Sequence, residues 1–346
     1  MNPADQEALL ERAVSLCNTA AKLEKAGKYD SARGLLFEAR SLFGTLGQAQ
    51  HLSWCENLLG NIAMSLHQAQ IAQGHFENAL ELVDYSSDPV WPVVLKAKAG
   101  SAARMNGDLD AALSYLSTAR SEFASLALVN YQEPCEFELA EIYQSLGQSH
   151  RAVNHFCEAA RLNGGLDNPD KVGDCYFLAA NAAYQGGDKS TAEKLYIKTI
   201  DVYRGSGNGL NIGKCSNNLG NIYSEKGEHR RALDAYGIAR DEYRRHSQPT
   251  EVALAANAMG IEAGSLGEFE RAAELHDEAF WVFQALNSPE MQAMCLLNKG
   301  NARAQQERYE DACGLYAQAR RFYADLRHAK GVSWCESGIK FCQARM

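Results

Sequence analysis

The stretch NNLGNIYSEKGEHRRALDAYGIA, residues 217–239, contains the pattern on which the fold prediction depends. Small and apolar residues recur three and four positions apart on both sides of Gly227, as they do along the buried stripe of an amphipathic helix. A glycine between two such stripes supplies the left-handed turn that ends the first helix. The segment therefore predicts a helical hairpin, two antiparallel helices joined by a tight turn.

The same landmark, a glycine followed five residues later by an alanine, recurs along the chain. It is found at Gly27/Ala32, Gly74/Ala79, Gly107/Ala112, Gly147/Ala152, Gly187/Ala192, Gly227/Ala232 and Gly267/Ala272, and Glu307/Ala312 closes the series. The later landmarks are 40 residues apart, and a second small residue lies seven positions before each of them. We call this second residue the crossing residue: Gly100, Ala140, Ala180, Gly220, Gly260 and Gly300.

A small crossing residue has a steric explanation, because two helices can approach closely only where a side chain is small, and the neighbouring aromatic residues then interlock. Self-similarity at a fixed period indicates stacked repeats. We predict repeats at 4–46, 49–87, 92–129, 133–168, 172–206, 211–247, 250–287 and 290–328, followed by a capping helix at 331–344.

Two local features refine this prediction. Gly60 precedes Gly74 by 14 residues rather than 7, so the first helix of the second repeat is expected to run about two turns, roughly 10 Å, longer than its neighbours. A proline in a helix interior costs about 3 kcal/mol. We therefore place Pro134 in the first turn of a helix and the other prolines in first turns or at the joints between repeats.

Residues 217–239 resemble a tetratricopeptide repeat, whose positions are matched in phase by Leu219, Gly220, Tyr223, Gly227, Ala232, Tyr236 and Ala239. The 40-residue period is similar to that of kinesin light chains and Pins-type adaptors. The resemblance implies an all-α, right-handed superhelical solenoid of tandem helical hairpins that forms a single domain over residues 1–346. It also implies that the first helices line a concave groove that binds a protein or peptide segment.

Composition argues against several other functions. The 346 residues carry 34 basic and 43 acidic side chains, a net charge of −9, and no basic cluster that would attract phosphate backbones or anionic membranes. We expect no nucleic-acid partner, no membrane partner and a cytoplasmic protein. No C-x-x-C or H-E-x-x-H spacing occurs, so we expect no metal and no cofactor. Whether the chain forms a homo-oligomer is left open.

Cysteine and histidine also favour packing over chemistry. One repeat position is shared by Cys135, Cys175, Cys215, Cys295 and Cys335, and other repeats place Ala or Leu there. A position that exchanges Cys with Ala and Leu is that of a buried hydrophobic residue. His229 and His276 stand where other repeats carry aromatic residues, and no partner is predicted for Cys17. We therefore expect no enzyme activity.

Candidate binding residues follow from the resemblance and the helical period, which places the residues three before and one after the crossing residue on one face. The predicted groove residues are Asn57, Asn61, Phe137, Glu141, Phe177, Asn181, Lys214, Asn217, Asn221, Asn257 and Asn301. Asparagine amides can pair with the backbone of an extended peptide, and the two phenylalanines can anchor apolar side chains. The alternative is that the asparagines cap or crosslink neighbouring helices and that the phenylalanines pack inward.

Three functions are compatible with these observations. The favoured one is an adaptor or scaffold that binds a segment of another protein. The alternatives are a peptide-sensing regulator and a non-catalytic accessory subunit of an enzyme complex. The only cations placed near the groove are Lys214 and Arg104, so we expect no preference for an acidic C-terminal tail.

Overall fold

The computed structural model describes residues 2–83 and 88–346, in which every regular element is an α-helix. The chain divides into two compact units, one ending at Asp167 and one spanning Asn168–Met346. Unit 1 contains α1 (Pro3–Lys25), α2 (Tyr29–Thr45), α3 (Ala49–Ser65), α4 (Ala69–Glu81), α5 (Trp91–Asn106), α6 (Leu109–Ser125), α7 (Val129–Ser145) and α8 (Ser149–Gly165). Unit 2 contains α9 (Pro169–Gln185), α10 (Lys189–Ser206), α11 (Gly209–Glu225), α12 (His229–Arg245), α13 (Pro249–Ser265), α14 (Phe269–Ala285), α15 (Pro289–Gln305), α16 (Tyr309–Asp325) and α17 (Ala329–Gln343).

Consecutive helices pair as predicted, odd-numbered first helices with even-numbered second helices, and α17 caps the series without a partner helix of its own. This confirms the prediction of an all-α solenoid of tandem helical hairpins. The hairpin turn at Gly227 has a φ of 73°, a left-handed conformation that glycine adopts without steric cost. The end of the predicted second repeat, at residue 87, lies outside the described residues.

The prediction of a longer first helix in the second repeat is wrong. Helix α3 has 17 residues, the same length as α2 and α7. Its hairpin turn is formed by His67, which has a φ of 57° and lies seven residues after Gly60, so Gly60 is the crossing residue of this repeat. Gly74 lies inside α4. A non-glycine residue can adopt the left-handed conformation at a modest cost. The Gly74/Ala79 pair therefore does not mark the turn of this hairpin, which lies seven residues earlier, at His67.

The placement of Pro134 is also wrong. It lies inside α7, at the sixth residue of the helix. Proline has no backbone N–H, so a carbonyl of the preceding turn loses the hydrogen bond that another residue would donate to it. Pro134 is exposed, so water can solvate the carbonyl that loses this donor. The helix continues without interruption to Ser145.

The steric role predicted for the crossing residues is confirmed. A Cβ added at Gly220 would lie 2.5 Å from the ring of Tyr236, and one at Gly300 would lie 2.7 Å from the ring of Tyr316. Gly60 stands in the same relation to the ring of Phe76, at 2.5 Å. In these three hairpins an aromatic side chain of the second helix therefore occupies the space that a larger crossing residue would need, and at Gly100 the side chain of Leu116 does so, at 2.7 Å.

The cysteines at the shared repeat position are buried, as predicted. Burial raises the pKa of the Cys215 and Cys295 thiols to about 12. Cys17, for which no partner was predicted, lies with its Sγ 3.1 Å from the Sγ of Cys55. The two residues are not at equivalent repeat positions, so the spacing between stacked repeats does not separate them.

Unit 1 contains a buried ionic network that recurs after two repeats. Glu56, 2% exposed, accepts from Arg40 Nε at 2.9 Å and pairs with His75 Nδ1 at 2.7 Å. The corresponding network lies 80 residues later in Arg120, Glu136 and His155. A buried carboxylate is tolerated only where such partners satisfy it, and each network joins the second helices of two hairpins to the first helix between them.

Candidate functional site

In unit 1 the predicted amides are joined to the next hairpin by a lysine. Asn57 is buried and Asn61 half-buried. Lys98 Nζ of α5 donates to Oδ1 of Asn57 at 2.6 Å and to Oδ1 of Asn61 at 2.9 Å. Burial lowers the pKa of Lys98, whereas the neighbouring Glu24 carboxylate opposes this shift. A cation therefore lies among these amides that the sequence analysis did not place there.

The other predicted residues of unit 1 are also engaged. Phe137 is half-buried, and its ring packs edge-on against Phe156 of the same hairpin, with centroids 5.5 Å apart. Glu141 forms an ion pair with Arg104 Nη1 at 3.2 Å. The Phe137 side chain is thus shared between the hairpin core and the surface.

In unit 2 three predicted asparagines follow a crossing residue directly, and each is held by a tyrosine of its own hairpin. The Tyr236 hydroxyl donates to Oδ1 of Asn221 at 2.7 Å, and the Tyr316 hydroxyl donates to Oδ1 of Asn301 at 2.8 Å. Asn181 accepts from Tyr196 in the same way, at 2.5 Å.

The tyrosine hydroxyls fix the orientation of these amides. Burial raises the pKa of Tyr196 to about 12 and shifts that of Tyr236 in the same direction, so both hydroxyls keep their protons at neutral pH. Because the carbonyl side of each amide is used as acceptor, its NH₂ group is left to donate elsewhere. Within the described part of the chain, the NH₂ groups of Asn221 and Asn301 make no hydrogen bond.

The remaining predicted residues of unit 2 differ in their surroundings. Phe177 is half-buried and packs edge-on against Tyr196, with centroids 6.0 Å apart. Asn257 is 5% exposed and accepts from His276 Nδ1 at 2.8 Å, which places it in the hairpin interior. Asn217 is half-buried and Lys214 is exposed.

A set of polar residues two positions before the crossing residue was missed by the sequence analysis. Each reaches back to the first helix of the preceding hairpin: the set consists of Lys98, Glu138, Asn218 and Asn298. Glu138 accepts from Ser101 Oγ at 2.6 Å and from Arg104 Nε at 3.0 Å. Asn218 Nδ2 donates to Oδ1 of Asn181 on α9 at 3.5 Å, and also to the Tyr196 hydroxyl on α10 at 3.1 Å. These bonds crosslink successive first helices, so the crosslinking alternative describes part of this face.

An apolar region of the face in unit 2 was also missed. Leu254 and Ile261 lie two turns apart on α13 and are 41% and 47% exposed, and Trp334 and Phe341 have the same spacing on α17 and are 54% and 46% exposed. Helix α15 contacts both of these helices. The sequence contained a signal for this apolar region. Leu254 and Trp334 lie six positions before the crossing position of their helices, and Ile261 and Phe341 lie one position after it.

We call the surface formed by these first-helix residues the first-helix face of each unit. In unit 2 it carries amides with unused donors on α11 and α15 and exposed apolar side chains on α13 and α17. In residues 2–83 and 88–346 no group of three His, Cys, Asp or Glu side chains could hold a metal ion. None of the described helices is both long and apolar enough to cross a membrane.

Comparison with known proteins supports the fold assignment. A family model described as soluble NSF attachment protein, SNAP, matches residues 137–275. The C-terminal part of a TPR repeat-containing protein from Cytophaga hutchinsonii is similar with a TM-score of 0.61 and 11% identity, over 77% of this chain and 94% of that chain. No match was found among curated proteins.

Two further solved structures are similar. The apo form of RapI matches with a TM-score of 0.57 and 12% identity, over 96% of this chain and 97% of that chain. BtubC (BKLC) from P. vanneervenii matches with a TM-score of 0.51 and 21% identity, over 63% of this chain and 92% of that chain. At these identities the likenesses show the fold, and they confirm the resemblance to tetratricopeptide repeats.

Proposed function

We propose that this chain, which has the tetratricopeptide-repeat fold, is a scaffold that binds a segment of another polypeptide on its first-helix faces. The observation that carries the proposal is the set of amides held by tyrosine hydroxyls in unit 2. Their acceptors are satisfied internally, whereas their donors are available to backbone carbonyls of an extended ligand.

The surroundings of these amides fit a polypeptide ligand. Backbone hydrogen bonds alone give a grip that tolerates many sequences, and apolar side chains beside them add selectivity. Leu254 and Ile261 on α13 lie between the helices that carry Asn221 and Asn301, and both are more than two-fifths exposed. Contiguous exposed apolar side chains with a polar surround are typical of protein interaction sites.

The cytoplasm is the compartment we propose for this activity. The cysteines are ten free thiols, eight of them buried. Thiols persist in this form in a reducing environment.

The test uses a displayed library of random peptides selected on the full chain, followed by fluorescence polarisation with the enriched peptides. The variant Asn221→Ala/Asn301→Ala should weaken binding about 5-fold to 150-fold, because two hydrogen bonds are lost and each is worth roughly 0.5–1.5 kcal/mol. The matched control is Gln284→Ala/Gln318→Ala, two exposed amides on the second helices α14 and α16. Equal binding by both double variants would refute the assignment of the site.

A further inference from the structure

One hairpin of unit 2 lacks the tyrosine that the others have. The position that packs over the crossing residue is occupied by Tyr196, Tyr236 and Tyr316 in three hairpins and by His276 in the fourth. A Cβ added at Gly260 would lie 2.6 Å from the His276 ring, so the imidazole takes the place of the phenol ring. The residue after the crossing residue changes with it, since Ile261 replaces the asparagine.

The neighbouring hairpins show what occupies this place elsewhere. The Tyr196 hydroxyl lies between Oδ1 of Asn181, at 2.5 Å, and Nδ2 of Asn218, at 3.1 Å. The residue equivalent to Asn218 beside His276 is Asn298, which donates instead to Oδ1 of Asn257 at 3.2 Å. An imidazole is shorter than a phenol, so the His276 ring does not reach the position that the tyrosine hydroxyl has in the other hairpins.

A pocket of about 180 Å³ is found at this position, between α13 and α15. Its floor includes the buried residues Gly260, His276 and Ala302, and its rim includes the exposed residues Ile261, Asn301 and Gln305. A cavity of about 150 Å³ is large enough to hold benzene. The pocket therefore has room for a single aromatic ring that enters from the first-helix face.

The floor of the pocket offers a hydrogen-bond acceptor. Nδ1–H of His276 donates to Oδ1 of Asn257 at 2.8 Å, which fixes the tautomer and leaves the lone pair on Nε2. His276 is 2% exposed, and burial lowers its pKa to about 4. At neutral pH the ring is therefore uncharged, and His276 lines the pocket with Nε2 as its remaining acceptor.

We propose that this pocket binds a phenolic side chain, a tyrosine of the bound polypeptide, whose hydroxyl donates a hydrogen bond to Nε2 of His276. The proposal rests on the proposed function for the source of the tyrosine and names the residue that the partner supplies. A phenylalanine would fill the same volume but leave the buried acceptor unpaired, which is unfavourable. A lysine would bring a positive charge into the pocket, and none of the floor residues Gly260, His276 and Ala302 carries a carboxylate that could pair with it.

The pocket is tested with 4-fluorophenol as the probe, by ¹⁹F NMR titration of the full chain. The comparison ligand is 4-fluorotoluene, in which a methyl group replaces the hydroxyl. Saturable binding of 4-fluorophenol is expected, with 4-fluorotoluene about threefold to tenfold weaker, the worth of one hydrogen bond. Equal affinity of the two ligands would overturn the role of His276 as acceptor.

Two variants place the binding in this pocket. Gly264→Leu fills it from the rim, since a Cβ at Gly264 has no neighbour closer than 3.8 Å, and His276→Tyr/Ile261→Asn restores the tyrosine and asparagine of the other hairpins. Each should reduce the affinity for 4-fluorophenol at least about tenfold. The control Tyr203→Phe removes a hydroxyl that is bonded to Asp174 and does not line the pocket, and it should leave the affinity unchanged. Binding that survives Gly264→Leu in the folded protein would overturn the proposal.

Two outcomes distinguish failure of the tyrosine pocket from failure of the proposed scaffold function. Selected peptides whose affinity is unchanged when their tyrosines are replaced by phenylalanine would overturn the tyrosine assignment and leave the scaffold function standing. Binding of 4-fluorophenol that requires His276, with no peptide enriched by selection, would support the pocket and refute the scaffold function.

Discussion

Replacing the crossing glycine Gly220 with alanine should destabilise unit 2 through one steric contact. The added Cβ would lie 2.5 Å from Cε1 of Tyr236, whereas ordinary contact begins at 3.4 Å. The ring cannot move away freely, because Tyr236 is 4% exposed and its hydroxyl is bonded to Asn221. Overpacking of this kind costs about 1–3 kcal/mol, against about 1 kcal/mol gained because alanine favours the helix over glycine.

The variant Gly237→Ala on the facing helix α12 separates these two terms. A Cβ at Gly237 would meet only Cε of Met259, at 3.7 Å, so this variant gains the helix term without the clash. Thermal unfolding followed by circular dichroism at 222 nm should place Gly220→Ala below Gly237→Ala by about 1–3 kcal/mol. For a unit of this size that corresponds to about 2–12 °C in the midpoint.

The reasoning would be refuted if Gly220→Ala unfolded at the same temperature as Gly237→Ala. Loss of the fold altogether is not expected, because the chain carries Ala180 beneath Tyr196 in an equivalent hairpin. An alanine crossing residue is therefore compatible with this hairpin fold, and the variant reports the energy of adjusting the α11–α12 hairpin to it.

Three further predictions concern protonation, ion pairing and thiol reactivity. Burial lowers the pKa of His276 from 6.5 to about 4. The stability contributed by its neutral form is therefore present above pH 6.5 and is lost as the pH falls toward 4. In urea unfolding, His276→Phe should lose less stability over this pH range than the unmodified chain, by up to about 3 kcal/mol. Glu136→Ala removes the acceptor of both Arg120, whose side chain is 39% exposed, and His155, and should cost about 1–3 kcal/mol in urea unfolding, whereas Glu158→Ala, in a surface pair, should cost at most about 1 kcal/mol. Thiol alkylation followed by mass spectrometry should modify Cys157 before the buried cysteines, and uniform labelling would contradict the described burial.

The fold was largely predictable because its cause is local and repeats. A 40-residue period and the steric need for a small crossing residue are both visible in the letters of the sequence. The position of the second hairpin turn was not, because the left-handed conformation of His67 has no marker as clear as glycine. Pro134 was misplaced for the same kind of reason, since a proline ends a helix only where its missing hydrogen bond cannot be replaced.

The candidate site was less predictable because its chemistry depends on which neighbour a polar side chain reaches. The position two residues before the crossing residue crosslinks neighbouring helices in several repeats, but it is occupied by residues of different charge: Lys98, Glu138 and Asn218. No recurring residue type therefore marked this position in the sequence. Asn221 lies one residue after its crossing residue, and Asn257 lies three residues before its own. Both are asparagines, yet Asn257 is bonded in the hairpin interior and Asn221 keeps a free donor. Burial and partner choice, rather than residue type, distinguish the two.

The crosslinking and binding interpretations of the asparagines are not exclusive, because an amide has two ends. In unit 2 the oxygen of Asn221 or Asn301 is used by a tyrosine of the same hairpin, and this bond turns the NH₂ group toward other acceptors. A freely rotating amide would lose conformational entropy when it bound a ligand, and an amide that is already oriented loses less. The internal hydrogen bond therefore favours ligand binding by the other end of the side chain, and Tyr236→Phe should weaken the grip of Asn221 on a peptide while leaving its donors in place.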